Sequence, residues 1–550
     1  MKKSEQIDCP LCFDKVDKLL FRFHFDDEKN VLHLIEENNP GWKGEDGICG
    51  RCVDYYHTAL LTKQHVFPET GPHFPVKSAD DFVVIPTGLR LNADPRYTGK
   101  GVTICFIDSG FYPHPDLVAY KNRILKMLDF SGDAIISSKD NEPDSSCWHG
   151  TMTTVVGAGD GYCSDGLYKG IASNAELVLL KVQNEAGKIP TENIVSALQW
   201  VAANHTRYNI RIVNMSIGGD EAVSIKDSQV DQLAEALISE GINIVAAVGN
   251  DINGVIKPPA NALNVIAVGG ADDNNQLKMP AGNLYHSTFG KTVDGLMKPE
   301  LVAHAIWIAA PILPGTREKQ EAEILYRLVN TPDQELLRTI TEIDSKIIGD
   351  VCDLSNSDVT FIRDAICKRV QQTKFISANY MHVDGTSFAA PMVSAVIAQL
   401  LEANPALTPA MIRAVLFSTA KRMDGFPAER QGFGVVQPRK ALLKVLCNEP
   451  VSKQHPSPFI NKQKRSVEFS IQNNTATQIA LTGDFNNWNP DNWLLQPGLN
   501  GIWKIEIPFP PPGKYAYKFF VDESRWLEDV DNPYREPDGF NGFNNIVIIE

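Results

Sequence analysis

Ser387 stands where a serine can act as a nucleophile: the run Met381-His382-Val383-Asp384-Gly385-Thr386-Ser387-Phe388-Ala389-Ala390-Pro391-Met392 has the pattern of a nucleophile elbow. Small residues before it permit a tight turn, and the residues from Ser387 through Ser394, Ile397 and Leu400 to Asn404 have helical character, closed before Pro405. The hydroxyl therefore falls at a helix N-terminus, where backbone N–H groups and the helix dipole favour developing negative charge. Taken alone, the same pattern suits a capping serine on a buried helix. Two further residues supply what a nucleophilic serine needs. Asp108 ends the run Gly101-Val102-Thr103-Ile104-Cys105-Phe106-Ile107-Asp108, and His149 in Trp148-His149-Gly150-Thr151 opens a small-residue helical stretch through Val155, Val156 and Ala158. An imidazole can take the serine proton and deliver it to a leaving amine, while a carboxylate holds the imidazole in the right tautomer. That is the chemistry of peptide hydrolysis through an acyl-enzyme.

These groups need elements that bring three distant segments together. The run ending at Asp108 is short and apolar with a carboxylate at its C-terminal end, the pattern of a buried strand in an α/β sheet. Asp108, His149 and Ser387 each fall at the junction of a regular element and a loop.

In that chain order the three segments resemble the subtilase family of serine proteases, and the likeness extends over roughly residues 80 to 445. Val213-Asn214-Met215-Ser216-Ile217-Gly218-Gly219 resembles the family's substrate-binding strand, and Val245-Ala246-Ala247-Val248-Gly249-Asn250 its oxyanion-hole segment. Gly170-Ile171-Ala172, Lys298-Pro299-Glu300-Leu301-Val302-Ala303 and Gly432-Phe433-Gly434-Val435-Val436 look like core landmarks of the same family. The resemblance implies an α/β catalytic domain with a parallel sheet. It also implies that Asn250 and the Ser387 N–H hold the oxyanion, and that Ser216, Ile217, Gly218 and Gly249 line the substrate cleft. An extended peptide would add there as a strand. Lys257 matches a position near the first specificity pocket, where it either favours an acidic substrate residue or is simply a solvated loop lysine.

The 550 residues are too many for one ordinary core, and 43% hydrophobic with 22% charged residues is the composition of a soluble globular protein. A net charge of −15 argues against nonspecific nucleic-acid binding. Met1 to Asp8 lead into cysteine rather than an apolar signal segment, and no run reaches the roughly 18 apolar residues of a membrane helix. A cytoplasmic protein that engages neither nucleic acid nor membrane is expected. The oligomeric state is not legible.

Four of the ten cysteines form two pairs, Cys9-Pro10-Leu11-Cys12 and Cys49-Gly50-Arg51-Cys52. Two such knuckles suit a structural tetrahedral zinc site closing a small N-terminal domain; exposed dithiols, a redox pair or an iron–sulfur site are the alternatives. No organic cofactor is expected. Residues 1–77, ending in a proline-containing linker, resemble no inhibitory propeptide, and the cysteine-rich unit is a candidate replacement for one.

Three departures from the family pattern stand out. Met152-Thr153-Thr154 follow the His149 motif where many relatives have histidine, valine and alanine, a change expected to alter packing more than chemistry. Cys147 sits two residues before His149 and is either reactive or buried and inert. Asp116 matches a position that ligates calcium in some relatives, but no companion loop is recognisable in 159–169, so calcium has no assignable site. Within the catalytic unit, 78–447, an insertion spans about 312–379. In it Thr331-Pro332-Asp333-Gln334 reads as a capping-box start with proline at the first helical position, Leu336, Ile340, Ile343 and Ile347 recur on one helical face, and a second helix is expected from Val359 to Val370. The insertion is a helical cover or, alternatively, a lid or a partner-docking surface.

After residues 448–465, read as a linker, Gly483-Asp484-Phe485-Asn486-Asn487-Trp488 and Tyr515-Ala516-Tyr517-Lys518-Phe519-Phe520-Val521 alternate as strands of a β-sandwich. Residues 466–550 resemble the glycogen-binding module of the AMP-activated kinase beta subunit. The resemblance implies an immunoglobulin-like all-β domain in which Trp488 and Trp526 stack on glucose rings while Lys518 and Asn544 bond their rims; alternatively the tryptophans belong to the sandwich core. The expectation is a multidomain serine endopeptidase, with protein or peptide substrate, tethered to glycogen or another α-glucan. A glucan-binding scaffold with a latent or dedicated-partner protease domain is the alternative.

Overall fold

The computed structural model describes residues 84–132, 136–137, 146–219, 221–275, 283–355, 357–447, 453 and 455–550, with residues 6–8, 15–17, 21–22, 33, 35–36, 41–43 and 46–49 before them. The centre is a nine-stranded sheet. Seven of its strands run parallel, in the order Leu301–His304, Ile266–Asp272, Asn243–Ala247, Ile210–Met215, Thr103–Asp108, Glu176–Lys181 and Ile124–Asp129. Thr103–Asp108, the first strand of this sheet in chain order, thus lies in its interior, and the chain winds outward from it in both directions. The C-terminal end of such a strand opens onto the crevice where α/β sheets place their sites. Asp108 occupies that end.

Alternation along the strand explains why it is buried on both faces. Ile104 and Phe106 join one core, with Val155, Val156 and Val393, while Cys105 and Ile107 join another, with Ile194, Leu198 and Leu237. The first core is roofed by the helices Cys147–Ala158 and Thr386–Ala403, the second by Thr191–Tyr208 and Gln229–Ser239. Contrary to the expectation that no segment has membrane-span character, Thr386–Ala403 is long and apolar enough by composition; it is apolar because it is wrapped in core, with 83% of it buried.

Pro391 lies inside that helix and has no N–H to donate to the Ser387 carbonyl four residues earlier. The Ser216 hydroxyl donates to that carbonyl at 2.8 Å. The helix break is thereby used to tie the nucleophile's backbone to the end of the strand Ile210–Met215.

The strands Ile308–Pro311 and Tyr380–Val383 pair antiparallel, so the chain between them leaves and returns at one place. It folds into the helices Arg317–Asn330, Asp333–Thr341, Ser345–Cys352 and Val359–Thr373 around Leu325, Leu336, Ile340, Ile348, Ile362 and Ile366. The expected continuous helical face through Ile347 is interrupted. The first helix ends at Thr341, and Asp344 starts the next by accepting from Lys346 N at 2.9 Å. The capping box is absent as well: Pro332 is itself the N-cap, and the Thr331 hydroxyl donates back to Arg327 O at 2.8 Å. The helix Arg317–Asn330 was not anticipated, because its charged residues obscure the apolar stripe Ala322, Leu325 and Leu328.

The C-terminal domain is a sandwich of a four-stranded and a five-stranded sheet around Phe469, Trp503, Tyr517, Phe519 and Val547. It starts earlier than expected. Phe459–Asn461, read as linker, pairs antiparallel with Ser466–Gln472, and the charge run Lys462 to Arg465 is the turn between them, with Arg465 at φ +54°. Buried Arg535 anchors the sandwich to the catalytic unit: it donates to Pro299 O at 3.2 Å and stacks on Phe433 and Phe543, 4.3 and 4.5 Å from their ring centres. Arg422 and Glu528 add an ion pair at 2.7 Å.

At the N-terminus Gln6–Asp8 pairs antiparallel with Lys15–Asp17, and Phe21–Arg22 with Ile48–Cys49. Cys9, Cys12 and Cys52 and the Cys49 side chain lie outside the described residues.

Candidate active site

Asp108 is fully buried at its strand end, and its Oδ1 lies 2.6 Å from His149 Nδ1. Gly150 makes this approach possible, since a Cβ there would meet Gly110 O at 2.3 Å and the Asp108 Cβ at 3.0 Å. Ser109 N donates to Oδ1 at 2.6 Å, and the Thr153 hydroxyl, whose one proton is shared with Gly150 O at 3.0 Å, reaches Oδ2 at 3.2 Å. Thr153 therefore does more than the packing change expected of it.

The backbone turns sharply into the nucleophile helix at Gly385, whose φ of +133° suits glycine. Asn250 lies against it, the amide nitrogen 3.3 Å from where a Cβ would stand. Its Oδ1 accepts from Thr386 N at 2.8 Å and from the Thr386 hydroxyl at 2.9 Å. With the oxygen held twice, the amide orientation is set and the NH2 is directed away from Thr386. The Thr386 hydroxyl also accepts from Gly249 N at 3.3 Å. Thr386 is thus a positioning residue that sequence reasoning missed, although it sat inside the quoted elbow.

Ser387 Oγ makes only a long contact, donating to Ser216 O at 3.4 Å. The His149 ring lies 6.1 Å from that of Phe388, the next residue, which brings the imidazole to the start of the nucleophile helix. Asn214 links Ser394 at 2.9 Å to the Ser216 hydroxyl at 3.1 Å, completing a buried chain under the nucleophile. Ser216 and Ile217 are buried, Gly218 is exposed, and Gly219 N donates to Pro258 O at 2.8 Å, beside Lys257. Cys147 is buried in the same helix as His149.

Burial of the His149 imidazole pulls its pKa down, but the charge of Asp108 and the hydrogen bond to it reverse this, leaving the pKa raised. A general base must be neutral, so activity is lost as pH falls through this ionisation. The kcat/KM profile is expected to show an acid limb centred above the ordinary imidazole value of about 6.5; a limb at or below that value would refute the pairing with Asp108.

At Asp116 both carboxylate oxygens are taken by protein donors, Oδ1 by Cys163 N at 2.8 Å and Oδ2 by the Tyr380 hydroxyl at 2.5 Å. The neighbouring donors are the His114 imidazole and the Cys163 thiol. Calcium seeks six to eight oxygens, and this set does not fit it.

In the sandwich neither expected tryptophan is core. Trp526 is 49% exposed, and its ring centre lies 6.2 Å from that of half-buried Trp488. Trp488 stands in a left-handed turn, φ +57°, with its indole N–H on Asp484 at 3.0 Å. Lys518 is only 9% exposed and ion-paired to Asp538. Trp488, Lys518, Trp526 and Asn544 line one cleft, together with Phe540, which is 90% exposed and was not singled out from sequence.

The model of the subtilase family matches residues 99–434, and that of carbohydrate-binding module 48 (isoamylase N-terminal domain) matches 455–534. Among curated proteins, the serine protease AprX of Bacillus subtilis is 28% identical over 332 residues, covering 58% of this chain and 61% of AprX. An extracellular protease of Xanthomonas campestris is 26% identical over 383 residues, covering 64% of this chain and 53% of its own length. The chain thus spans less than two thirds of either relative. Of solved structures, Sphericase aligns over 62% of this chain and 92% of its own, with 20% identity and a TM-score of 0.44.

Proposed function

The chain belongs to the subtilase family and carries a carbohydrate-binding module 48, and from that premise we propose that it is a serine endopeptidase whose triad is Asp108, His149 and Ser387. The observation that carries this is the 2.6 Å contact of His149 Nδ1 with buried Asp108, on the sheet edge that also holds Asn250 against the nucleophile turn. In the first step neutral His149 takes the Ser387 proton as Oγ attacks the peptide carbonyl. The oxyanion is received by the Asn250 NH2 and the Ser387 N–H, a single such side-chain donor being worth about 3 to 4 kcal/mol in the transition state. His149 then protonates the leaving amine, and water repeats the sequence on the acyl-enzyme. Substrate lies along Ser216, Ile217 and Gly218 as an added strand, with Gly249 beside the oxyanion site. Incubation with an unfolded protein such as casein tests the activity: internal cleavage with a trapped acyl-enzyme is expected, and no cleavage by any form of the chain would refute it.

The paired, half-exposed Trp488 and Trp526 support binding of glycogen or another α-glucan, because glucose presents apolar C–H faces that aromatic rings cover. Such tethering raises the protease's effective concentration near glucan-associated proteins. A cytoplasmic setting, where thiols stay reduced, is part of the same proposal. For the N-terminal unit we propose structural zinc on Cys9, Cys12, Cys49 and Cys52. Support comes from the antiparallel strands Gln6–Asp8 and Lys15–Asp17, which bracket the first pair, and from the pairing of Cys49 with Phe21. Elemental analysis of purified protein is expected to give about one zinc per chain; zinc-free protein with all four thiols titrating would contradict it.

A further inference from the structure

The face bearing Trp488 and Trp526 does not open onto bulk solvent alone; it forms one side of a cleft of about 1560 Å³ whose other side belongs to the catalytic unit. Ala414 and Ser418, on the helix Pro409–Thr419, and Lys444, on the helix Pro438–Cys447, line that opposite side. The two walls are held at a set separation by the Arg422–Glu528 ion pair and by Arg535 between Phe433 and Phe543.

A glucan chain needs two kinds of contact, an aromatic floor for its C–H faces and polar groups for its hydroxyl rims. The sandwich wall supplies the floor. Its polar rim includes Lys518, whose ammonium is ion-paired to Asp538. On the catalytic side, Lys444 Nζ donates to the Ser418 hydroxyl at 2.5 Å, a polar pair lining the same cleft as the tryptophans. An ammonium has three N–H donors, and among the described residues the Ser418 hydroxyl takes one of those of Lys444.

We propose that the carbohydrate site is shared between the domains: an α-glucan stacked on Trp488 and Trp526 has its hydroxyl rim completed by Lys444 and Ser418 of the catalytic unit. This rests on the glucan reading above. Bound glucan then contacts the helix Pro409–Thr419, whose Ile412, Val415 and Leu416 pack in the same core as the nucleophile helix.

The test is calorimetric binding of maltoheptaose to the full chain and to three variants, each checked for an unchanged circular dichroism spectrum. Trp526→Ala is expected to weaken binding roughly tenfold or more. Lys444→Ala, which removes a charged donor, is expected to weaken it about five- to tenfold. Ala414→Trp, which fills the cleft from the catalytic side without removing any polar group, is expected to weaken it at least as much. If Lys444→Ala and Ala414→Trp bind as tightly as wild type while Trp526→Ala does not, the glucan reading stands and the shared site is wrong. If wild type binds no maltoheptaose, the glucan reading itself fails and the shared site with it.

Discussion

Replacing Ser387 with alanine is expected to lower kcat on peptide substrates by about 10⁴- to 10⁶-fold, the range produced by loss of the nucleophile in Ser-His-Asp enzymes. KM should change little, because the proposed substrate contacts run through the backbone of Ser216, Ile217 and Gly218. Folding should also be spared: the hydroxyl makes only the 3.4 Å contact to Ser216 O, whereas the bond that ties the helix to the strand end uses the Ser387 carbonyl, which alanine keeps. Kinetics on a chromogenic peptide, with melting temperature as the control, decide the matter. A variant retaining a tenth of wild-type kcat would place the nucleophile elsewhere.

Asp108→Asn is expected to cost about 10⁴-fold in kcat with the geometry intact. The carboxylate is buried and accepts from Ser109 N and the Thr153 hydroxyl as well as facing His149 Nδ1. Ser109 N and His149 Nδ1 share Oδ1, so an asparagine oxygen kept there serves both, and a flip that turns the NH2 onto Nδ1 loses the Ser109 bond. In either arrangement the imidazole meets a neutral group in place of a charge, and an NH2 facing Nδ1 stabilises the tautomer with its proton on Nε2, which cannot accept from Ser387. The same substitution removes the interactions that raise the His149 pKa, so the residual activity should have its acid limb at lower pH than wild type. Loss of kcat without that downward movement would mean that Asp108 acts through structure alone.

Much of the site is legible in sequence because its parts sit at element ends. A continuous apolar run with a terminal carboxylate, a glycine after a helix-opening histidine and small residues before a helical serine each have a local cause. The parts that were not legible are set by contacts across the chain. Nothing local says that the Thr153 hydroxyl reaches Asp108, 45 residues away, or that Thr386 clamps Asn250, 136 residues away. The Ser216 bond to the Ser387 carbonyl could have been sought from Pro391 alone, since a proline inside a helix leaves a carbonyl four residues earlier without its usual donor. In the insertion, helix type followed from periodicity, but the break after Thr341 depends on how Leu336, Ile340 and Ile348 share one small core. The cleft opposite Trp488 and Trp526 belongs to neither domain's sequence pattern, because it exists only where the sandwich meets the helix Pro409–Thr419.

In the proposed triad His149 and Asp108 activate Ser387. Labelling the full chain at pH 8 with a fluorophosphonate, followed by peptide mass spectrometry, tests it most directly. A single phosphonyl adduct on Ser387, abolished in His149→Ala, is the result expected; an adduct on another residue, or none in protein that cleaves casein, would contradict it.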